Sequence, residues 1–220
     1  MPKPNKLVAQ DTAQIRAVGF DYLGVTALLP ARHESIYQRV ARMLGVGGDD
    51  VYASYHHHNQ PFQRGEYGQA ELWRRIVAEL GHPGKLEIVL AAAREDVPLP
   101  DERILQLADR LRAAGYKVGL LSNLASGTDW DAAMHAAGVD AHFDALLLSG
   151  DLGLTKPDPR AFQALADRLG VVLAELVFID DRAISLAGIE AYGVRPVLYQ
   201  GYESLLGALA ALGVNCEAKD

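Results

Sequence analysis

The chain has 220 residues, 50% hydrophobic and 22% charged, with a formal net charge of −7. That much apolar mass excludes a disordered chain, and no apolar run approaches the ~18 residues of a membrane span. A lone cysteine, Cys216, excludes a disulfide scaffold, and an acidic chain without a basic block is a poor partner for nucleic acid. The opening MPKPNKLVAQ has no apolar stretch behind its lysines and does not read as a secretory signal, so a cytoplasmic location is expected.

Residues 1–14 read as a lead-in. Residues 15–20 (IRAVGF) are a short apolar run that stops at Asp21, the pattern of a buried strand with a carboxylate at its carboxyl end. Residues 30–100 are bracketed by Pro30, Pro98 and Pro100 and show helical periodicity without a clear strand. Helices are expected there over 31–44, 69–80 and 85–94. The alternation then begins. Residues 101–114 place Ile104, Leu105, Leu107, Ala108 and Leu111 on one stripe closed by Gly115. Strands are expected over 116–121, 143–148, 176–179 and 194–199, and helices over 128–137, 159–169 and 183–192. Short continuous apolar runs alternating with helices predict an α/β fold whose parallel sheet is covered on both faces. Ligands of such sheets bind at the carboxyl ends of the strands, where the helical insertion sits.

Those strand ends carry Asp21, Ser122-Asn123 and the pair Asp180-Asp181, and the loop GLTKP brings Lys156 just before a helix. Crowded carboxylates repel one another and need a compensating cation. Lys156 supplies one charge. Mg²⁺, which prefers oxygen ligands, would supply the rest.

Taken in order, four segments resemble the motifs of the haloacid dehalogenase superfamily: FDYLGVT (20–26), LLSN (120–123), SGDLGLTKPDPRAF (149–162) and VFIDDRAISLAGIEAYGV (177–194). FQRGEYGQAELWRRI (62–76) is similar to segments of the family's helical cap. The resemblance implies a Rossmann-like core, residues 1–29 and 101–220, and a mobile α-helical cap, residues 30–100. It implies an aspartyl-enzyme intermediate on Asp21, with Ser122, Asn123 and Lys156 holding the phosphoryl group of a small phosphorylated substrate. The Asp21 and Asp181 carboxylates and the Leu23 carbonyl would hold Mg²⁺, with Asp180 beside them. No nucleic-acid or membrane partner is implied, and the oligomeric state is not read from the sequence.

One position departs from the pattern. Phosphatases of the family carry a second Asp two residues after the nucleophile, as general acid and base; here that residue is Leu23. A leucine cannot move a proton, and losing a general acid–base costs roughly 10²–10⁴ in rate. Three readings follow: a phosphoryl-transfer hydrolase using another proton carrier or good leaving groups, a non-catalytic relative that binds a ligand or partner, and a 2-haloacid dehalogenase, whose halide leaves without a proton. The acidic pair argues against the last.

Other residues read more plainly. His56, His57 and His58 are consecutive, do not face one way on a helix, and are expected to be solvent-exposed. One of them facing the core could replace the missing proton carrier. Arg39, Arg74, Arg75 and Lys85 are expected on the polar faces of amphipathic helices. Gly45 to Gly48 follow a helix rather than a strand and fail as a nucleotide loop. Cys216 reads as an incidental thiol in a polar tail, and Trp73 and Trp130 as packing residues.

Overall fold

The computed structural model describes residues 13–30 and 34–216. The first twelve residues of the lead-in over 1–14 and the first residues of the helix expected over 31–44 lie outside them. The chain begins with β1 (Ala17–Phe20) and the short β2 (Ala27–Leu28). Four helices follow: α1 (Ile36–Leu44), α2 (Gly48–Gln63), α3 (Gln69–Glu79) and α4 (Leu86–Arg94). Next come β3 (Leu99–Pro100), α5 (Glu102–Ala113), β4 (Lys117–Ser122), α6 (Asp129–Ala136) and β5 (Ala145–Leu148). The chain continues through α7 (Ser149–Leu152), α8 (Pro159–Leu169), β6 (Leu176–Asp180), β7 (Arg195–Leu198) and α9 (Tyr202–Ala211).

Five strands form one sheet in the order β5-β4-β1-β6-β7, with every adjacent pair parallel. This is the parallel α/β sheet expected from the alternating pattern, in the Rossmann-like form that the resemblance implies. β1 is central, with Phe20 in register with Leu120 of β4 and Ile179 of β6. The residues that follow these partners therefore emerge together at one sheet edge.

The strands are buried on both faces. Val18, Phe20, Leu120 and Ile179 pack with Leu107 and Leu111 of α5 and Leu209 of α9. Ala17, Leu121 and Phe178 pack on the other face with Phe162 and Leu165 of α8. At Gly19 and Gly119 a Cβ would approach Phe178 and Leu165 to 2.6 and 2.7 Å, so only glycine lets these side chains lie flat on the sheet.

Helices α1–α4 bury a core of their own, built on Val40, Val51, Leu72, Ile76 and Val89. Ala125, from the loop after β4, enters this second core. β2 and β3 form a two-stranded antiparallel ribbon, Ala27 opposite Pro100, where the chain leaves for the helices and returns. This ribbon corrects the expectation of no strand between 30 and 100.

Two further expectations are corrected. Helix α2 was not expected: its buried residues are Val51, Ser54 and Phe62, and the run His56 to Pro61 shows no apolar stripe. Its formation is driven by packing on α1 and α3 rather than by local pattern. The helix expected over 183–192 is instead two 3₁₀ turns, Ala183–Leu186 and Ile189–Tyr192. Gly188 separates them with φ of 77°, a left-handed conformation that interrupts an α-helix.

Candidate active site

β1 delivers Asp21 to the sheet edge with its backbone held on both sides. Its N–H donates to Ile179 O at 2.8 Å, and the buried Thr26 hydroxyl donates to Asp21 O at 2.7 Å. β6 ends in Asp180, fully buried, and Asp181 follows it. Lys156 is 5% exposed. Its Nζ donates to Asp21 Oδ1 at 2.7 Å and Asp180 Oδ2 at 2.6 Å. Carboxylate oxygens of Asp21, Asp180 and Asp181 all lie within 4.8 Å of one another. The residues picked out at the ends of β1 and β6 and in the lysine loop are thus brought together.

The electrostatics follow from this crowding. Burial raises the Asp21 carboxyl from its ordinary 3.8 to about 6; Lys156 works against that rise, and the Asp180 charge adds to it. Asp181 is raised in the same direction, first by burial and then by Asp180. Asp21 and Asp180 share one ammonium and Asp181 lies exposed beside them, so the cluster carries more negative than positive charge.

The neighbouring positions are specialised in ways the sequence did not show. Asn123 braces the lysine loop: its Oδ1 accepts from Lys156 N at 2.8 Å and its Nδ2 donates to Lys156 O at 3.1 Å. Its amide is thereby turned onto the backbone that carries the ammonium. Ser122 is the last residue of β4 and is buried beside Asn123. Leu23 sits half-buried in the turn after Asp21, bridged to Ala27. Gly24 in that turn has φ of 91°, and a Cβ there would run into the Asp181 carboxylate. The FDYLG segment therefore needs glycine both for its backbone and for the seat of Asp181. Gly24 and Thr26 were missed as site-building residues; only their place beside Asp21 in the motif could have suggested them.

The helical unit contributes differently from expectation. Arg39 is buried, not solvated: its Nη1 and Nη2 donate to Asp96 Oδ1 at 3.1 Å and Oδ2 at 2.5 Å. Arg74 and Arg75 pair with Glu71 on the exposed face, as an amphipathic helix predicts. The histidines divide. The rings of His57 and His58 stack, and both turn to Glu79, so adjacent residues do converge here, and His58 is half-buried rather than exposed. His56 packs on Tyr52 at 4.1 Å between ring centres. Burial and the charge of Arg182, which follows Asp181, both lower its pKa. Cys216 is half-buried against the sheet core, not loose in a polar tail. Contacts tie the helices to the sheet edge: Ser149 Oγ donates to Gln63 O at 2.5 Å, and Gln69 exchanges two hydrogen bonds of 3.1 Å with Asp129.

The sequence profile of the haloacid dehalogenase-like hydrolases matches residues 15–193, a stretch that includes every residue of the cluster. The chain belongs to this hydrolase family. It is 35% identical over 116 residues to (S)-2-haloacid dehalogenase 4A of Burkholderia cepacia, covering 52% of this chain and 48% of that protein. It is 33% identical over 118 residues to a phosphatase of Mycobacterium tuberculosis, covering 52% and 54%. The match thus spans about half the length of these curated relatives. Among solved structures, a HAD-like family hydrolase from Porphyromonas gingivalis superposes with a TM-score of 0.69 at 22% identity, covering 92% of this chain and all of that one. A HAD family enzyme from Bacteroides thetaiotaomicron, in complex with magnesium and inorganic phosphate, gives 0.64 at 22% identity, covering 87% and 98%. The family is established on the sequence match, and the fold is shared with both structures.

Proposed function

We propose that the chain is a Mg²⁺-dependent hydrolase that transfers the phosphoryl group of a small phosphate monoester to Asp21 and then to water. The observation that carries this reading is the cluster itself: three carboxylates around one buried ammonium at the carboxyl edge of the sheet. The donor set fits Mg²⁺, being oxygen-only and short of one divalent charge. Asp21 and Asp181, with the Leu23 carbonyl, would hold the ion, and Asp180 would hold Lys156. The ion supplies charge neutralisation of the phosphoryl oxygens, which lets one anion approach another.

The chain's own residues do the rest. An Asp21 carboxylate oxygen bonds to phosphorus while the ester P–O bond breaks and the leaving oxygen departs with the electron pair. Lys156 and Ser122 hold the phosphoryl oxygens, and Asn123 keeps Lys156 in place. Water then attacks phosphorus, the acyl phosphate P–O bond breaks, and Asp21 is regenerated with inorganic phosphate released. Leu23 gives no proton to the leaving oxygen and takes none from the water, so bulk water protonates the leaving oxygen and takes up the proton released in the second step. Good leaving groups are therefore favoured, and the second step is slow. Residues 30–100 act as the cap that shields the site.

Intact mass after incubation with Mg²⁺ and acetyl phosphate tests this directly. A phosphoryl adduct on the wild type and none on Asp21→Asn is the expected result. No adduct with metal bound would support the alternative of a non-catalytic binding protein. Leu23 specifically favours one other reading, a 2-haloacid dehalogenase, because halide leaves without a proton; halide release from 2-chloropropionate that survives a chelator would establish it instead. The similarity to both a phosphatase and a dehalogenase makes that assay the necessary companion.

A further inference from the structure

Among the described residues, one group of metal-ligating side chains lies outside the Asp21 cluster: His57 and His58 of α2 and Glu79, the last residue of α3. One nitrogen or oxygen from each lies within 4.8 Å of the others. Neighbours on a helix point about 100° apart. These two rings nevertheless stack, with centres 4.6 Å apart and planes 15° from parallel. His58 Nε2 is 2.7 Å from Glu79 Oε2, and His57 Nδ1 is 3.5 Å from Glu79 Oε1. A hydrogen bond to the carboxylate accounts for His58 alone. The His57 ring stands at the limit of such a bond and gains little from an exposed ion pair.

The ligands are braced from behind. Ser54, which is buried, donates its Oγ to Glu79 Oε2 at 2.8 Å. The Tyr67 hydroxyl donates to His58 O and fixes the backbone that carries that ring. Hydrogen-bonded supports of this kind are what orient the ligands of a metal. Positive charge is scarce at this carboxylate. Glu79 stands at the negative end of the α3 dipole, and the last turn holds no basic residue. Among the described residues its ion-pair partners are the two histidines. Protonating both would set like charges in stacked rings. One divalent ion would balance the carboxylate and leave both rings neutral.

Donor type and spacing select the ion. Two ligands on a tetrahedral Zn²⁺ stand ~3.4 Å apart, close to the 3.5 Å between His57 and Glu79. Two imidazoles with one carboxylate suit Zn²⁺, Cu²⁺ or Ni²⁺, whereas Mg²⁺ prefers oxygen alone and suits the sheet-edge cluster. The His57 side chain is 70% exposed, so an ion has a path in and water can complete the fourth position.

We propose that His57, His58 and Glu79 form a further metal site, one that takes Zn²⁺ and fastens α2 to α3. Helix α2 has little apolar pattern of its own and carries Pro61 inside it. A bridge to α3 therefore acts on the helix that its local sequence supports least. The proposal stands independently of phosphoryl transfer.

The test uses the full chain in excess Mg²⁺, which occupies the oxygen-only cluster. Zn²⁺ titrated calorimetrically should bind the wild type. Losing an outer-shell partner weakens metal binding roughly 10–100-fold, and losing a ligand in His57→Ala or Glu79→Gln should cost at least as much. His57→Ala alters an exposed side chain, and Glu79→Gln keeps an oxygen for Ser54; circular dichroism of both without metal checks their fold. Substoichiometric Cu²⁺ identifies the ligands. Its electron spin echo modulation should show two imidazoles in the wild type and in Asp181→Asn, and one in His57→Ala. Zn²⁺ should also slow amide exchange across α2 in the wild type and not in Glu79→Gln. No Zn²⁺ binding in excess Mg²⁺, an affinity unchanged in either variant, or an unchanged imidazole count in His57→Ala overturns the site. Binding that leaves exchange across α2 unaltered overturns its fastening role.

Discussion

Asp21 is built for attack at some expense to the fold. Its carboxyl sits at about 6 because burial disfavours the charged form more than Lys156 restores it. The folded value lies above the ordinary 3.8, so the neutral acid stabilises the fold. That contribution is complete below about pH 4 and is lost as pH rises through about 6. The loss is on the order of 3 kcal/mol. Asp21→Asn should therefore melt higher than the wild type in metal-free buffer at pH 7.5, by roughly 6–12 °C. The gain should shrink toward zero at pH 4. A pH-independent difference in scanning calorimetry would show that Asp21 is not the titrating group. Leu23 is the complementary case, a site position emptied of proton chemistry. Leu23→Asp should raise kcat on alkyl phosphates by about 10²-fold or more, and have a much smaller effect on acetyl phosphate, whose leaving group needs no acid. Equal gains on both would remove the general-acid explanation.

At the scale of elements, the helices between β2 and β3 are held by their own core and by one buried ion pair. Arg39 and Asp96 link α1 to the segment after α4, and both are almost fully buried. A single truncation leaves one charge buried without its partner. Arg39→Ala should cost about 3–5 kcal/mol in urea unfolding, while the double change to Met at 39 and Leu at 96 should recover most of it. A cost under about 1 kcal/mol would mean the helices tolerate the bare carboxylate by admitting water. This pair explains why the periodicity of 31–44 misplaces Arg39. A polar residue on an amphipathic helix reads as solvated unless its partner, here fifty-seven positions away, is known. Helix α2 is hidden for a related reason. Its apolar contacts are few and are completed by α1 and α3, so its local pattern resembles a loop.

At the scale of the whole molecule, the sheet edge and the helical unit are joined by Ser149 to Gln63 and by Gln69 to Asp129. Metal and phosphate bound to the folded state alone stabilise it by mass action, about 2.7 kcal/mol at a hundred times Kd. Mg²⁺ with inorganic phosphate should raise Tm by roughly 5–11 °C, reversibly on adding a chelator. Asp181→Asn should abolish most of that shift. A shift of wild-type size in that variant would place the ion elsewhere.

The fold class was legible because parallel strands buried on both faces must be continuous apolar runs, and Asp21, Ser122 and the acidic pair stand where those runs stop. The helix boundaries around 101–114 and 159–169 were legible through stripes and terminal glycines. Long-range complementarity was not. That Lys156 bonds two particular carboxylates, that Asn123 serves the lysine's backbone, and that Gly24 makes room for Asp181 depend on residues more than twenty, and up to 157, positions apart. So do the partners of Asp96, Gln69 and Thr128, which look available in one dimension and are occupied in three. Local sequence fixes where a side chain stands along its element; which partner satisfies it is settled only when the elements pack, because hydrogen bonds and burial are properties of the pair.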